Sequence, residues 1–562
     1  MKQLFTLLFL ALAPSLWAQR VITGVVVEAD ANDDPLPGAT ISVAVPGAKA
    51  QTGAVSDYEG KFTLEVGAKV THFTVRYLGY QTEEVALVDG QNHYRIQLKP
   101  NARTVNEVVV TGYQKIDRRK LTAAVTKVDI STEKVGAVKS IDQALSGQIA
   151  GLSAVTASGA PGAPVKIRIR GTASLNGSQE PLWVLDGMPL EGTDIPSMQD
   201  LKDVDNIYQT SIAGINPSDI ENITVLKDAA STAIYGSQGA NGVIVVTTKG
   251  AQAGKTSINF SAKAGISSLN NGNVEMMNGA ELYDYYKSFS NAAEIAFPRW
   301  NEKLRESNFD WWKLATHTGN VQNYDLTINS GGEKLSAVFT GGVYKENGAV
   351  RGYDYTRYNT MVKLNFRPYS WIAIRPAING SKGVIDDRQR STYSMYSMLP
   401  WDSPYDANGK IIGNYSSSWV NSNSTNYLYE LQYNWSKYDS YSFNGNFDFD
   451  LYLTDWLTFS SVNSYRWASH LDKSYVDPRT SGAKDEGRVS ESTSTNTRRY
   501  TSQLLKATRN FGKYHGFLML GYEFNDGEYR FHSGDGKGLV PGYAQLDVTS
   551  TPESVNGNKY EW

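Results

Sequence analysis

The chain has 562 residues, with 54 Lys and Arg against 57 Asp and Glu and a net charge of −3. It is long enough for several domains and carries no basic footprint for nucleic acid. It has no cysteine, which excludes disulfides, thiolate chemistry and a lipid-modified N-terminal cysteine. Fifty glycines, 34 tyrosines and 12 tryptophans suit a β-rich protein. Past the N-terminus no apolar run has the length of a membrane helix, but membrane strands alternate polar and apolar residues and need none.

Residues 1–19 read as a secretory signal: Lys2 supplies the charge, Leu4 to Ala13 the apolar core, and cleavage is expected at Ala18-Gln19. Residues 20–99 then carry short β runs such as VITGVVVEA, KFTLEV and HYRIQL, separated by turn chemistry at Pro35-Leu36-Pro37-Gly38 and Asp57-Tyr58-Glu59-Gly60. The expected product is a seven-stranded β-sandwich, and the run from PLPGATISV to VRYLGYQTEEV resembles the carboxypeptidase regulatory-like domain. Peptidase activity does not follow from that likeness. The six histidines, at 72, 93, 317, 470, 515 and 532, form no zinc-hydrolase arrangement, so no metal site and no cofactor are expected.

A tether, 100–118, follows and contains NEVVVTGYQ, Asn106 to Gln114. Its β-formers Val108 to Thr111 read either as a short strand of a neighbouring domain or as a segment that adds to a partner's sheet edge. Residues 119–250 read as a glycine-rich α+β domain. It has a short helix over Ile141 to Ile149 and the strand PVKIRIRG. On that strand Val165, Ile167 and Ile169 share one face, and Lys166, Arg168 and Arg170 the other. Those cations read as a solvated face or as partners for acids inside a barrel. Trp183 to Leu185 is a strand entering a tight turn at Asp186-Gly187. In NPSDIENITVLKDAASTAIYGSQGANGVIVVTTKG, a helical turn at Pro217, a strand at Ile223 to Leu226, a helix from Asp228 to Tyr235 and a strand at Val243 to Thr247 are expected.

This segment, RIRGTASLNGSQEPLWVLDGMPLEG and NEVVVTGYQ together resemble the SusC/RagA family of TonB-linked outer-membrane transporters, in that family's own domain order. The resemblance implies that 119–250 is a plug. It also implies a TonB box within 106–113, with Glu107, Val108, Val109, Val110, Thr111, Gly112 and Tyr113 as the residues that pair with TonB. Lys166, Arg168 and Arg170 would then face the barrel wall.

From residue 255 to 562 the texture is period-2 alternation, as in SINFSAKAGI and FNGNFDFDL. Nine strands are expected, near 256–266, 319–330, 334–345, 354–367, 370–381, 439–453, 455–469, 496–511 and 514–528. Their connections alternate long and short, the pattern of an outer-membrane barrel with short periplasmic turns. The family implies about 22 strands, so a partial, truncated barrel is expected, and STPESVNGNKYEW reads as loop. The fold class is mainly β: sandwich, α+β plug and partial transmembrane antiparallel β-barrel.

The implied function is import across the outer membrane of a Gram-negative bacterium. TonB and its inner-membrane energy complex would supply work, and a SusD-like lipoprotein would serve as a lid. A glycan is the first substrate class and an oligopeptide the second. A chelate or vitamin transporter and a non-transport adhesin are the more distant alternatives. Ten Tyr and Trp lie between Tyr393 and Trp435, but no substrate-binding residue is assigned among them. An enzyme is not expected, since no nucleophile elbow, metal cluster or acid pair stands in context.

Overall fold

The computed structural model describes most of residues 20–99, the strands Val108–Thr111 and Gln114–Asp117, short stretches between 125 and 190, and residues 215–561 with brief gaps, the longest at 294–300 and 388–394. It divides near residue 122 into two compact units.

The first unit is a seven-stranded sandwich. One sheet has the order β4-β1-β7, with β1 (Arg20–Glu28), β4 (Lys61–Val66) and β7 (His93–Leu98). The other has the order β3-β2-β5-β6, with β2 (Thr40–Val43), β3 (Thr52–Val55), β5 (His72–Arg76) and β6 (Glu83–Ala86). Alternate residues point inward, so Phe62, Leu64 and Val66 of β4 meet Ile41, Phe73 and Val75 from the facing sheet.

The second unit contains the central domain and a large sheet. The central sheet has the order β10-β15-β16-β13-β14. Its strands are β10 (Val125–Val128), β13 (Leu182–Leu185), β14 (Met188–Leu190), β15 (Ile220–Leu226) and β16 (Val243–Thr248). All four residues of β13 are buried, because both faces of this sheet are covered. Asp186 and Gly187 turn β13 into β14 with φ of 46° and 95°, the left-handed pair that a two-residue hairpin requires. The helix expected from Asp228 is shorter than its sequence suggests. It is Ala229–Thr232, capped by Asp228 Oδ1 accepting from Ser231 N at 2.8 Å, and Gly236 at φ 59° breaks the following 3-10 stretch. Ile141 and Leu145 are helical and fully buried, but Gly147 to Ile149, expected to continue the helix, form a turn in which Gly147 has φ 72°; residues 142–144 and 146 lie outside the described residues.

The large sheet has ten antiparallel strands in sequence order. They are β17 (Ser257–Ser267), β18 (Gly319–Gly331), β19 (Leu335–Asn347), β20 (Asp354–Tyr369), β21 (Ile372–Asp387), β22 (Trp435–Tyr452), β23 (Leu457–Val476), β24 (Arg488–Phe511), β25 (Tyr514–Lys537) and β26 (Thr551–Glu561). Two expectations are corrected. The stretch read as terminal loop is strand β26, paired with β25 from Glu528↔Glu561 to Lys537↔Thr551. Several strands also run well past their expected ends on the side of the long connections, up to 24 residues in β24 and β25. These extensions are mostly half-exposed and rich in Ser, Thr and charge, with few apolar residues buried, such as Tyr475 and Val489 against Leu539, so they carry no regular hydrophobic period. Ladder hydrogen bonds and cross-strand ion pairs hold them instead, among them Arg488–Glu553, Lys559–Glu528 and Lys473–Glu491.

Below the extensions the sheet is inside-out. Ile258, Phe260, Ile378, Phe447, Leu518 and Leu520 are exposed, while Asp325, Thr340, Glu346, Arg357 and Ser502 on the opposite face are buried. Two aromatic rows bound the apolar band. Tyr369 and Trp371, stacked at 5.9 Å, mark the short-turn side together with Tyr452 and Trp456. Tyr324, Tyr358 and Tyr465 mark the other. Tyr358 and Tyr369 stand at the two rows on one strand, and the register shift between Phe366 and Tyr369 lets residues of opposite parity share a face. At ~2.5 Å of height per residue of a tilted strand, the rows are about 28 Å apart, the thickness of a bilayer's apolar core. No described helix is long and apolar enough to cross a membrane.

Ile378 lies mid-band on the outer face and is 54% exposed. Ile378→Arg in the full-length protein is expected to cost about 2–4 kcal/mol in denaturant-driven unfolding from lipid vesicles. Ser492→Arg, on the extension, is expected to change stability by under about 0.5 kcal/mol.

Candidate functional site

The central domain rests against the polar face of the large sheet, and two clusters of buried polar groups join them. The first grows from the 3-10 turn Pro217–Asp219, which leads into β15. Asn216 caps this turn, its Oδ1 accepting from Ser218 N at 3.2 Å. Its Nδ2 donates to Asp325 Oδ1 on β18 at 2.7 Å, and Arg357 Nη2 of β20 donates to its Oδ1 at 3.3 Å. Ser218 Oγ donates to Asp325 Oδ2 at 2.7 Å, and Asn359 Nδ2 of β20 donates to Asp219 Oδ2 at 3.2 Å. Asn216, Asp219 and Arg357 are each 2% exposed. Burial is the main cause that pushes the Asp219 carboxyl up to about 6, and the neighbouring Asp325 pushes the same way.

Gly342 of β19 makes this approach possible. A Cβ there would lie 2.7 Å from Asn216 Nδ2 and 2.8 Å from both Asn359 Oδ1 and Asp325 Oδ1. A glycine inside a strand marks a place where another group comes close to the backbone.

The second cluster centres on Asp186 in the β13–β14 turn. Its carboxylate accepts from Thr248 N at 2.9 Å and Thr248 Oγ1 at 2.7 Å, and from Lys363 Nζ of β20 at 2.8 Å. Both partners of the Asp186–Lys363 pair are 16% exposed, so each charge depends on the other. A cavity of about 20 Å³, lined by Leu185, Asp186, Lys363 and Asn379, lies beside them. Apolar packing adds to the attachment, since Tyr500 and Val462 of the large sheet join the central domain's core.

The cations singled out from sequence lie on β12 (Val165–Ile169), paired with β11 (Leu152–Thr156). Arg168 Nη2 donates to Gln179 Oε1 at 2.7 Å, Lys166 is half-buried, and Arg170, at φ 57°, is exposed. The attachments described above use other residues, which sequence reasoning missed. Their only local signal is the Asn216-Pro217-Ser218-Asp219 capping pattern. Of the TonB-box segment, Val108–Thr111 is strand β8, in a two-stranded sheet with β9 (Gln114–Asp117). Glu107, Gly112 and Tyr113 lie outside the described residues.

The long connections hold α1 (Gly279–Ala293), α2 (Trp311–Ala315) and α3 (Tyr427–Leu431). Aromatics of these loops build the loops' own cores. Trp311, Trp419 and Tyr427 are buried together, Trp401 packs with Tyr283, and Tyr396 stacks on Trp312 at 4.8 Å. Arg479 lies 3.9 Å from the Tyr433 ring, held by Asp477, whose carboxyl it keeps down at about 2 against the cost of burial. Tyr393 and Tyr415 lie outside the described residues.

Residues 117–243 match the TonB-dependent receptor plug domain, and residues 22–110 the CarboxypepD_reg-like domain. The TonB-dependent receptor SusC of Bacteroides thetaiotaomicron is 31% identical over 353 residues, 62% of this chain and 32% of the relative. TonB-dependent receptor P26 of Formosa agariphila is 34% identical over 63% of this chain and 33% of its own length. The RagAB peptide importer in its open-open state superposes with a TM-score of 0.68 at 22% identity, over 81% of this chain and 53% of that one.

In its two matched domains and in its likeness to SusC, the chain is similar to the SusC/RagA family of TonB-dependent receptors. It spans about a third of the length of these curated relatives. The central domain is the receptor's plug, the large sheet is barrel wall, and the protein is placed in the outer membrane. The two polar clusters are therefore the plug's seat on that wall.

Gly342→Ala is expected to push Asn216 off Asp325 and weaken the seat by about 1–3 kcal/mol, read as faster amide exchange over 216–226 in the full-length receptor. Lys363→Met leaves Asp186 buried without its cation and is expected to weaken docking by about 3 kcal/mol, read as faster exchange in β13, β14 and β16.

Proposed function

We propose that this receptor imports a nutrient across the outer membrane by active transport, with an oligosaccharide as the first substrate class. One observation carries the reading: a plug is seated by buried polar contacts against a membrane-spanning wall, and an extended β segment stands just ahead of it in the chain. A wall this wide without a plug is an open pore, and a seated plug moves only when work is done on it. The segment Glu107 to Tyr113 is the point where that work enters. TonB, driven by its inner-membrane energy complex, adds a strand to this segment and pulls.

The glycan assignment is supported by the sequence relationship to SusC. It brings with it a SusD-like surface lipoprotein as the outer partner. Likeness of fold to the RagAB peptide importer favours oligopeptides as the second reading.

The test uses the full-length gene, intact and with residues 106–113 deleted, in cells grown on single glycans or on peptides as limiting nutrient. Loss of growth on glycans alone, with the protein still present in the outer membrane, is the expected result. Loss on peptides alone replaces the substrate class and keeps the mechanism. Normal growth of the deletion strain on a nutrient that requires the gene would sink energised import through this segment.

A further inference from the structure

The first polar cluster holds more acid than attachment requires. Asp325 is well served by donors, with Asn216 Nδ2, Asn323 Nδ2 and Ser218 Oγ each at 2.7 Å. Asp219 accepts from Asn359 Nδ2 at the longer distance of 3.2 Å, and beside it only the neutral Thr340 hydroxyl favours its ionised form by hydrogen bonding among the described side chains. A third acid, Glu346 of β19, is 1% exposed and accepts from the Tyr344 hydroxyl at 2.8 Å. Among the described residues, the cations Arg357 and Lys249 stand against these three. Arg357 of β20 lies 5.5 Å from the Tyr344 ring, and Lys249 follows β16. The Asn359 side-chain oxygen is buried without a hydrogen-bond donor. Turning that amide over presents the oxygen to Asp219, and only a protonated carboxyl can donate to it.

We propose that Asp219 is a proton-binding residue of the plug seat: a proton taken up there lets its carboxyl donate within the cluster, tightens the plug on the wall and makes docking stronger in mild acid than at neutral pH. The proposal rests on the seat alone and needs no particular substrate. The proton comes from solvent and no covalent bond changes. The shifted titration of the carboxyl agrees in sign. Burial, joined by Asp325 and opposed by the Thr340 hydroxyl, Lys249 and Arg357, raises the pKa from 3.8 to about 6 when the plug is docked. Away from the wall the carboxyl is hydrated and returns toward its ordinary value. The docked state therefore holds the extra proton. Its advantage is complete below the hydrated value and is lost as pH rises through about 6.

The experiment is hydrogen exchange on the full-length receptor in detergent micelles, from pH 5 to pH 7.5, corrected for the intrinsic pH dependence of exchange. Protection of peptides covering residues 216–226 is expected to fall about tenfold across that range. Asp219→Asn keeps the shape and removes the titration, and is expected to give a flat profile near the acid level. Asp325→Asn removes the neighbouring charge and keeps the side chain's shape, and is expected to move the midpoint to lower pH. It carries the test if Asp219→Asn does not fold. A flat wild-type profile, a wild-type profile in Asp219→Asn, or an unmoved midpoint in Asp325→Asn each overturns the proposal. Because transport is not read, these outcomes are independent of the import assignment.

Discussion

Lipid offers no hydrogen-bond partner, and the rest of this molecule follows from that constraint. Every backbone group within the apolar band must find its partner in a neighbouring strand, so the wall is a continuous antiparallel ladder. The pleat then sends alternate side chains to opposite faces. If one face is apolar enough for lipid, the other is left for polar residues, and whatever fills the interior must meet those residues on their own terms. The plug does so by offering an Asx-capped turn and a hairpin carboxylate, two features whose polar groups project beyond its own core. The seat is thus a consequence of the wall's pleat rather than a separate invention.

Exceptions to the apolar outer face obey the same constraint. The ladder between β22 and β23 is interrupted between Asn446↔Ser464 and Phe449↔Ser461, and Asn463 N turns to Asp448 Oδ1 at 3.3 Å. The Asn463 side chain donates to Phe447 O at 2.8 Å and accepts from Thr501 Oγ1 at 2.7 Å, and Gln503 donates to Thr501. The polar groups supply each other, so none faces hydrocarbon unpaired.

Much of this was legible in the sequence, for identifiable reasons. Period-2 alternation is imposed by one apolar and one polar face, so SINFSAKAGI and FNGNFDFDL announce membrane strands. Tight turns announce themselves through Gly331-Gly332 and Asp186-Gly187. Where neither face is consistently apolar the signal disappears. That is why Thr551–Glu561 read as loop and why the upper parts of β23 to β25 were missed. The seat was illegible for another reason. Asp325 pairs with a residue 109 positions away and Lys363 with one 177 away. A buried Asp and a solvated Asp look the same in one dimension. The triplet Lys166, Arg168 and Arg170 drew notice because its alternation is visible locally, whereas the wall attachments described here come from residues with no local pattern.

Strand length has its own implication. On the short-turn side the strands end near one level, yet β17 has 11 residues and β25 has 24. The mouth is therefore cut obliquely, with one flank about 30 Å higher than the other at the usual rise of a tilted strand. The high flank is all ladder, stiffened residue by residue. The low flank continues upward as folded loops, and these are fastened largely by aromatic contact. Stiffness around the mouth is consequently uneven.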